Sequence, residues 1–130
     1  MSKNILVIED NEQNLYLVRF ILEKNEYKVF ASLNGKSGIE LAASLKPDLI
    51  LLDIQLPEMD GYEVAYNLRK NPDLANTPII AVTSYAMPGD KEKAMEAGCN
   101  GYIEKPINPD TFLSKVEEHF ITINHPEKTI

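Results

Sequence analysis

Four short apolar runs constrain this chain most, because each is followed by a side chain suited to phosphate or metal chemistry. The runs cover residues 5–8, 49–52, 79–82 and 102–103. Continuous runs of branched aliphatic residues are typical of parallel strands that are buried on both faces. The carboxyl ends of such strands meet at one edge of an open α/β sheet, where ligands bind. The side chains that follow the runs are Glu9, Asp10, Asp53, Thr83 and Lys105. We therefore expect one site that combines acidic groups, a hydroxyl and a lysine.

Helical patterns separate these runs and indicate the fold class. Apolar residues recur at helical spacing after the first run, at Leu15, Val18 and Leu22. A further strand is predicted over residues 28–32, which brings the chain to five βα units. Right-handed crossovers place helices on both sheet faces. We therefore predict a doubly wound five-stranded parallel sheet with five helices, a flavodoxin-like three-layer sandwich. Periodicity alone does not determine strand order, and we predict 2-1-3-4-5.

The length of the chain fits one domain. At 130 residues with 44% hydrophobic side chains, it can bury one core but not two. We predict a folded domain over residues 1–120 and a flexible C-terminal tail over residues 121–130, where apolar periodicity stops. No separate output domain is expected after the fifth helix.

Composition excludes several kinds of partner. Twenty acidic residues against thirteen basic ones give a net charge of -7, and no basic run is present, which disfavours direct binding to nucleic acid. No apolar segment approaches the roughly 18 residues of a membrane span, and no signal-type segment leads the chain. The one cysteine, Cys99, has no second cysteine with which to form a disulfide. We therefore expect a cytoplasmic protein that binds neither nucleic acid nor membranes.

The predicted cluster of carboxylates requires a cation. Glu9, Asp10 and Asp53 would repel one another at close range, and oxygen ligands of this kind favour Mg²⁺. Asp53 ends the most apolar strand, where a partly dehydrated carboxylate can attack a phosphoryl group and form an acyl phosphate. Lys105 can pair first with Asp53 and then with phosphoryl oxygens, and the Thr83 hydroxyl can donate to the same group. The residues thus predict Asp53 as the nucleophile of a Mg²⁺-dependent phosphoryl acceptor site.

The motifs around this site resemble the receiver domain of two-component response regulators, from residue 3 to about residue 120. The matching segments read VIEDN at 7–11, PDLILLD at 47–53, LPEMDG at 56–61, VTS at 82–84 and YIEKP at 102–106. Residues 11–14 and 86–90 are more similar to stand-alone receivers of the DivK type, or to receivers of hybrid kinases, than to chemotaxis regulators. The resemblance implies a single-domain signalling switch that assists its own aspartyl phosphorylation and dephosphorylation.

The resemblance also implies partners and further site residues. A histidine kinase or a histidine phosphotransfer protein would donate the phosphoryl group to Asp53, and a downstream protein target would read the result. The backbone carbonyl of Gln55 would be a further metal ligand beside the three acids. Thr83 and Tyr102 would form a switch pair, and Lys105 would sense the phosphate ahead of a cis bond to Pro106.

Glu9 departs from the family pattern, in which many receivers carry aspartate. The extra methylene pushes its carboxylate outward, which leaves direct contact with the metal and contact through water both open.

Other functions share parts of this pattern. A phosphatase of the haloacid dehalogenase type also uses a strand-end aspartate, a hydroxyl and a lysine around Mg²⁺. Such enzymes need a second aspartate two positions later as a general acid, and Gln55 cannot exchange a proton. A flavodoxin-like cofactor binder is disfavoured, because the acids after the first strand would repel a phosphate group. A phosphorylation-independent adaptor also remains open, because an intact site does not prove its use.

Overall fold

The computed structural model describes residues 3–84 and 87–124, with side chains described as far as Phe120. The strands are β1 Asn4–Ile8, β2 Lys28–Ser32, β3 Leu49–Asp53, β4 Ile79–Thr83 and β5 Gly101–Glu104. The α-helices are α1 Glu12–Lys24, α2 Gly35–Leu45, α3 Gly61–Arg69, α4 Asp90–Ala97 and α5 Pro109–Asn124, and a 3₁₀ turn covers Pro72–Leu74.

All strand pairs are parallel, in the order β2-β1-β3-β4-β5. This confirms the predicted fold class and strand order. The chain winds outward from β1 in one direction to β2 and in the other direction through β3 to β5. Beyond the carboxyl ends of β1 and β3 the connecting loops therefore diverge, and a crevice opens between them.

The core has one layer on each face of the sheet. Ile5 and Val7 of β1 face the layer formed with α1 and α5, whereas Leu6 and Ile8 face the layer formed with α2, α3 and α4. Alternate residues of a strand point to opposite faces, so a strand buried on both faces reads as a continuous apolar run. This explains why β1, β3 and β4 were recognisable from sequence.

Side-chain caps start the helices close to the crevice. The Asn11 side chain accepts a hydrogen bond from the Asn14 amide at the start of α1, and Asp60 accepts from Tyr62 and Glu63 at the start of α3. Gly61 lets α3 begin directly against the loop after β3, since a Cβ atom there would lie 2.5 Å from the Ile54 Cα. The loops after β1 and β3, which carry the candidate site, are therefore anchored by a strand at one end and by a capped helix at the other.

The last helix, α5, runs to Asn124, so four residues of the predicted tail are helical. Residues 125–130 lie outside the described part of the chain, and the domain boundary near residue 120 stays a prediction. None of the helices in residues 3–84 and 87–124 is long and apolar enough to cross a membrane.

Candidate functional site

Buried polar residues lie at the carboxyl edge of the sheet, and three of them are predicted site residues. Glu9 follows β1, Asp53 ends β3 and Thr83 ends β4, with exposed fractions of 4%, 3% and 1%. A buried charge is costly unless it is paired and hydrogen-bonded. The placement of two carboxylates here therefore requires compensation from nearby groups.

Lys105 provides that compensation from the end of β5. Its Nζ atom lies 3.0 Å from Glu9 Oε1 and 3.3 Å from Asp53 Oδ2, and its side chain is itself only 9% exposed. The Lys105 amide also donates to the carbonyl oxygen of Thr83 at 2.7 Å. The lysine thus pairs with two acids and partly offsets their charge, while its backbone is tied to the neighbouring strand.

The three acids predicted to bind metal come together in the structure. One carboxylate oxygen from each of Glu9, Asp10 and Asp53 lies within 4.8 Å of the other two. Glu9 and Asp53 are buried, whereas Asp10 is exposed and opens the cluster to solvent. A donor set made only of carboxylate oxygens, with room for retained water on one side, fits a hard divalent cation such as Mg²⁺.

The Asp53 carboxyl is the most perturbed acid of the cluster. Burial raises its pKa to about 6, and the hydrogen bond and negative charge of Glu9 act in the same direction. The backbone N–H of Gln55, which donates to Asp53 Oδ1 at 2.9 Å, and the Lys105 ammonium both oppose the rise. The ionised form of a carboxyl group in such surroundings is stabilised when a further cation approaches.

The predicted switch pair lies on neighbouring strands and on the same face of the sheet. Thr83 is paired in register with Glu104 and Ala81 with Tyr102, so the two side chains are offset by two positions. Tyr102 packs against the layer that contains α4, and its hydroxyl is buried without a hydrogen-bond partner among the described residues. Burial raises the pKa of Tyr102, and the negative charges of Asp90, Glu104 and Glu92 add to the rise.

The remaining predicted site residues are also near this edge. The peptide bond between Lys105 and Pro106 is cis. Gln55 follows Asp53 by two positions in the loop after β3. Tyr85, two positions after Thr83, lies outside the described residues.

A family model described as the response regulator receiver domain matches residues 5–117 of the chain. The chain belongs to this family. Receivers of the family work in phosphorylation-based signalling, and the assignment favours that function over the phosphatase and the cofactor binder.

Curated relatives of this receiver include polar-differentiation response regulators named DivK. The protein of that name from Brucella anthropi is 41% identical over 119 residues, which cover 92% of this chain and 97% of the relative. The corresponding Brucella ovis protein is 40% identical over the same share of each chain. The similarity to DivK that the sequence motifs suggested is therefore confirmed.

Solved structures show the same fold. A CheY-like response regulator receiver domain protein from Methanospirillum hungatei has a TM-score of 0.86 at 30% identity and covers all of both chains. The receiver domain of a sensor histidine kinase from Pseudomonas aeruginosa, solved with a magnesium ion in its active-site cleft, has a TM-score of 0.83 at 30% identity. That match covers 91% of this chain and 97% of the other.

One contact of this receiver was missed by reasoning from sequence. We predicted the backbone carbonyl of Gln55 as a metal ligand, but its side chain bonds to the end of β4, where the Nε2 atom lies 2.6 Å from Thr83 Oγ1. The only available signal was a long amide side chain two positions after a strand-end aspartate. That signal says nothing about which neighbour the amide reaches.

The raised pKa of Asp53 predicts how the metal-free receiver responds to pH. Folding favours the protonated carboxyl, so its contribution to stability is fully present below about pH 4 and is lost as the pH rises through about 6. We expect the carboxyl carbon of Asp53 to titrate near pH 6 by NMR in a chelating buffer. We also expect Asp53→Asn to gain stability over wild type through the same window, by about 2 to 3 kcal/mol in urea unfolding. A titration midpoint near 4 would show that burial and Glu9 do not perturb this group.

Proposed function

We propose that this receiver accepts a phosphoryl group on Asp53 from a phosphohistidine donor in a Mg²⁺-dependent reaction, and signals through altered protein contacts. The observation that carries the proposal is the contact of the Lys105 ammonium with the buried Asp53 carboxylate, 3.3 Å away, beside two further acids. An isolated structural ion pair would not need two extra acids around it, because each additional negative charge raises the cost of burial.

The reaction begins with Asp53 as the nucleophile. One of its carboxylate oxygens attacks the phosphorus atom and forms an acyl phosphate, while the bond between phosphorus and the donor imidazole nitrogen breaks. The imidazole keeps that electron pair and takes up a proton. The Lys105 ammonium then shifts its hydrogen bond from the Asp53 carboxylate to the phosphoryl oxygens, so the lysine stays paired throughout.

Metal binding would use the carboxylates of Glu9, Asp10 and Asp53 together with the carbonyl of Gln55. A bound Mg²⁺ supplies positive charge that offsets the repulsion between these acids and the incoming phosphoryl group. Glu9 is the most constrained of the set. Its Oε1 atom contacts Lys105, and its Oε2 atom accepts a hydrogen bond from the backbone N–H of Asn11 at 3.1 Å. Asp10 is exposed and can turn towards a cation without losing such bonds, so we assign it the larger share of metal affinity.

The proposed partners follow from the family. Receivers interact with histidine kinases and with downstream targets, and here we propose a histidine kinase or a histidine phosphotransfer protein as donor and a protein as target. The acidic charge of the chain supports a target other than nucleic acid. We place the protein in the cytoplasm, where its buried cysteine stays reduced.

A small phosphodonor tests this function without knowledge of the natural partners. The receiver incubated with phosphoramidate and Mg²⁺ should gain one phosphate that survives acid and is released by base, as expected for an acyl phosphate. Omission of Mg²⁺ should prevent the gain. Absence of phosphate under both conditions would leave the adaptor, which needs no phosphorylation, as the better description.

Thr83→Ala is expected to separate phosphorylation from its consequences. Asp53, Lys105 and the acids remain, so the variant should still be phosphorylated. Loss of the hydroxyl removes a hydrogen bond to a charged phosphoryl group, which shifts the ratio of switched to unswitched receiver by about tenfold or more. Amide NMR should show changes spreading from Asp53 to Tyr102 and α4 in the wild type, and changes confined to the vicinity of Asp53 in the variant.

The matched control for this prediction is Thr111→Ala, which removes an exposed threonine hydroxyl on α5. It should behave as wild type. If Thr83→Ala transmits the changes to Tyr102 as fully as wild type does, the threonine is not part of the route.

A further inference from the structure

A single side chain connects the acceptor strand to the end of its neighbour. Gln55 donates from Nε2 to Thr83 Oγ1 at 2.6 Å and accepts at Oε1 from the Ser84 amide at 3.0 Å. Its own backbone N–H donates to Asp53 Oδ1 at 2.9 Å. Gln55 is therefore bonded at the same time to the acceptor carboxylate and to the hydroxyl predicted to switch.

The two side-chain bonds define the direction of the amide. An N–H of Ser84 can only donate, so the carbonyl oxygen of the amide must face it, and this turns the NH₂ group towards Thr83. Thr83 is 1% exposed, so its hydroxyl has little access to water that could replace the bond. The bond from Ser84 fixes the Gln55 amide, and the fixed NH₂ group in turn constrains where the Thr83 hydroxyl lies.

We propose that the Gln55 side chain is a positioning residue that holds Thr83 in its unphosphorylated place, and that phosphorylation of Asp53 must break this bond for Thr83 to move. The inference rests on the proposed function of Asp53. Phosphoryl oxygens are charged acceptors, and hydrogen bonds to charged groups are roughly twice as strong as neutral ones, so they can draw the hydroxyl away from the amide. Without a phosphoryl group no charged acceptor draws the hydroxyl away from the amide, and the receiver stays in its resting arrangement.

Side-chain length and polarity make glutamine suited to this role. Asparagine is one methylene shorter and would not span from the loop to both Thr83 and Ser84. Glutamate keeps the length and the acceptor for Ser84, and a threonine hydroxyl can donate to its carboxylate. Methionine keeps the length and approximate volume but can neither donate to the hydroxyl nor accept usefully from the amide. Side-chain length and hydrogen-bonding capacity can therefore be separated by substitution.

The experiment measures the resting equilibrium in unphosphorylated receiver. Amide resonances of Ser84 and Tyr102 in Gln55→Met are compared with those of wild type, first without a phosphodonor and then under excess phosphoramidate and Mg²⁺. We expect the unphosphorylated variant to move along the line towards the phosphorylated wild type, with the ratio of switched to unswitched protein raised about five- to tenfold. Gln55→Glu should lie closer to wild type than Gln55→Met does.

Gln13→Met, on the exposed side of α1, is the control for the substitution itself and should leave both resonances in place. The proposal would be overturned if the amide resonances of Ser84 and Tyr102 in Gln55→Met stayed at their wild-type chemical shifts. A shift of the Ser84 resonance alone would overturn it as well. An equal shift in Gln55→Glu and Gln55→Met would assign the effect to local packing and overturn it also. Failure of the wild type to accept phosphate at Asp53 is a different result, which removes the proposed function and this inference together.

Discussion

Asp53→Asn is expected to abolish acyl-phosphate formation while the fold remains intact. The amide has nearly the same shape as the carboxylate but carries no nucleophilic oxygen anion, so the loss should be complete within detection. The substitution also removes one charge from a buried cluster in which the pKa of Asp53 is already raised to about 6. The metal-free variant should therefore unfold at a higher urea concentration than wild type at neutral pH.

Asp60→Asn provides a matched control in the same loop. Asp60 caps α3 through Tyr62 and Glu63, and asparagine caps a helix about as well as aspartate does. This control should keep both its phosphorylation and its stability. Phosphorylation of Asp53→Asn at the wild-type level would assign the acceptor to another residue.

Removal of the metal is expected to have the second largest effect. Among the described residues, Lys105 is the cation that contacts the acids. Without a divalent cation the phosphoryl group must therefore approach three acids whose charge is only partly offset, so chelation should block phosphorylation of the wild type. Asp10→Ala should weaken Mg²⁺ binding by about tenfold or more, because loss of even an outer-shell partner of a metal site costs on the order of 10- to 100-fold. Glu9→Ala should weaken it less, because the Glu9 oxygens are already held by Lys105 and the Asn11 amide.

Titration calorimetry with Mg²⁺ can measure these affinities directly. Asp73→Ala is the control for loss of an acid, since Asp73 is exposed and pairs with Lys46 at 3.5 Å, away from the three clustered acids. Equal Mg²⁺ affinity in wild type and Asp10→Ala would remove Asp10 from the site. A larger loss in Glu9→Ala than in Asp10→Ala would show that Glu9 contacts the metal directly and dominates binding.

The sheet and the placement of the site residues were accessible from sequence because they depend on local pattern. A strand buried on both faces must be apolar throughout, so Leu49–Asp53 could be recognised, and the polar residue at its end had to lie at the sheet edge. The parallel arrangement then brings the ends of β1, β3 and β4 to that edge. Periodicity alone did not determine the strand order, because crossovers with helices of similar length fit several orders, and we predicted 2-1-3-4-5 as one of the common orders of a doubly wound sheet.

The pairing of Lys105 with Asp53 was expected, but the other contacts among the site residues depend on tertiary neighbours and could not be predicted. Nothing in the sequence indicates that Lys105 contacts Glu9 at 3.0 Å, closer than it contacts Asp53, or that Gln55 bonds to Thr83. Long polar side chains have many rotamers, and the choice among them depends on acceptors that are distant in sequence. In the structure, residues 121–124 continue α5 beyond the apolar pattern that marks its buried face.

The most direct test of the account locates the phosphate on the chain. The receiver is phosphorylated with phosphoramidate and Mg²⁺, reduced with borohydride so that an aspartyl phosphate becomes homoserine, and digested for mass spectrometry. We predict homoserine at position 53 in wild type and none in Asp53→Asn or in chelator. Homoserine at another acidic position, or a phosphate that borohydride does not convert, would contradict the assignment of Asp53 as the acceptor.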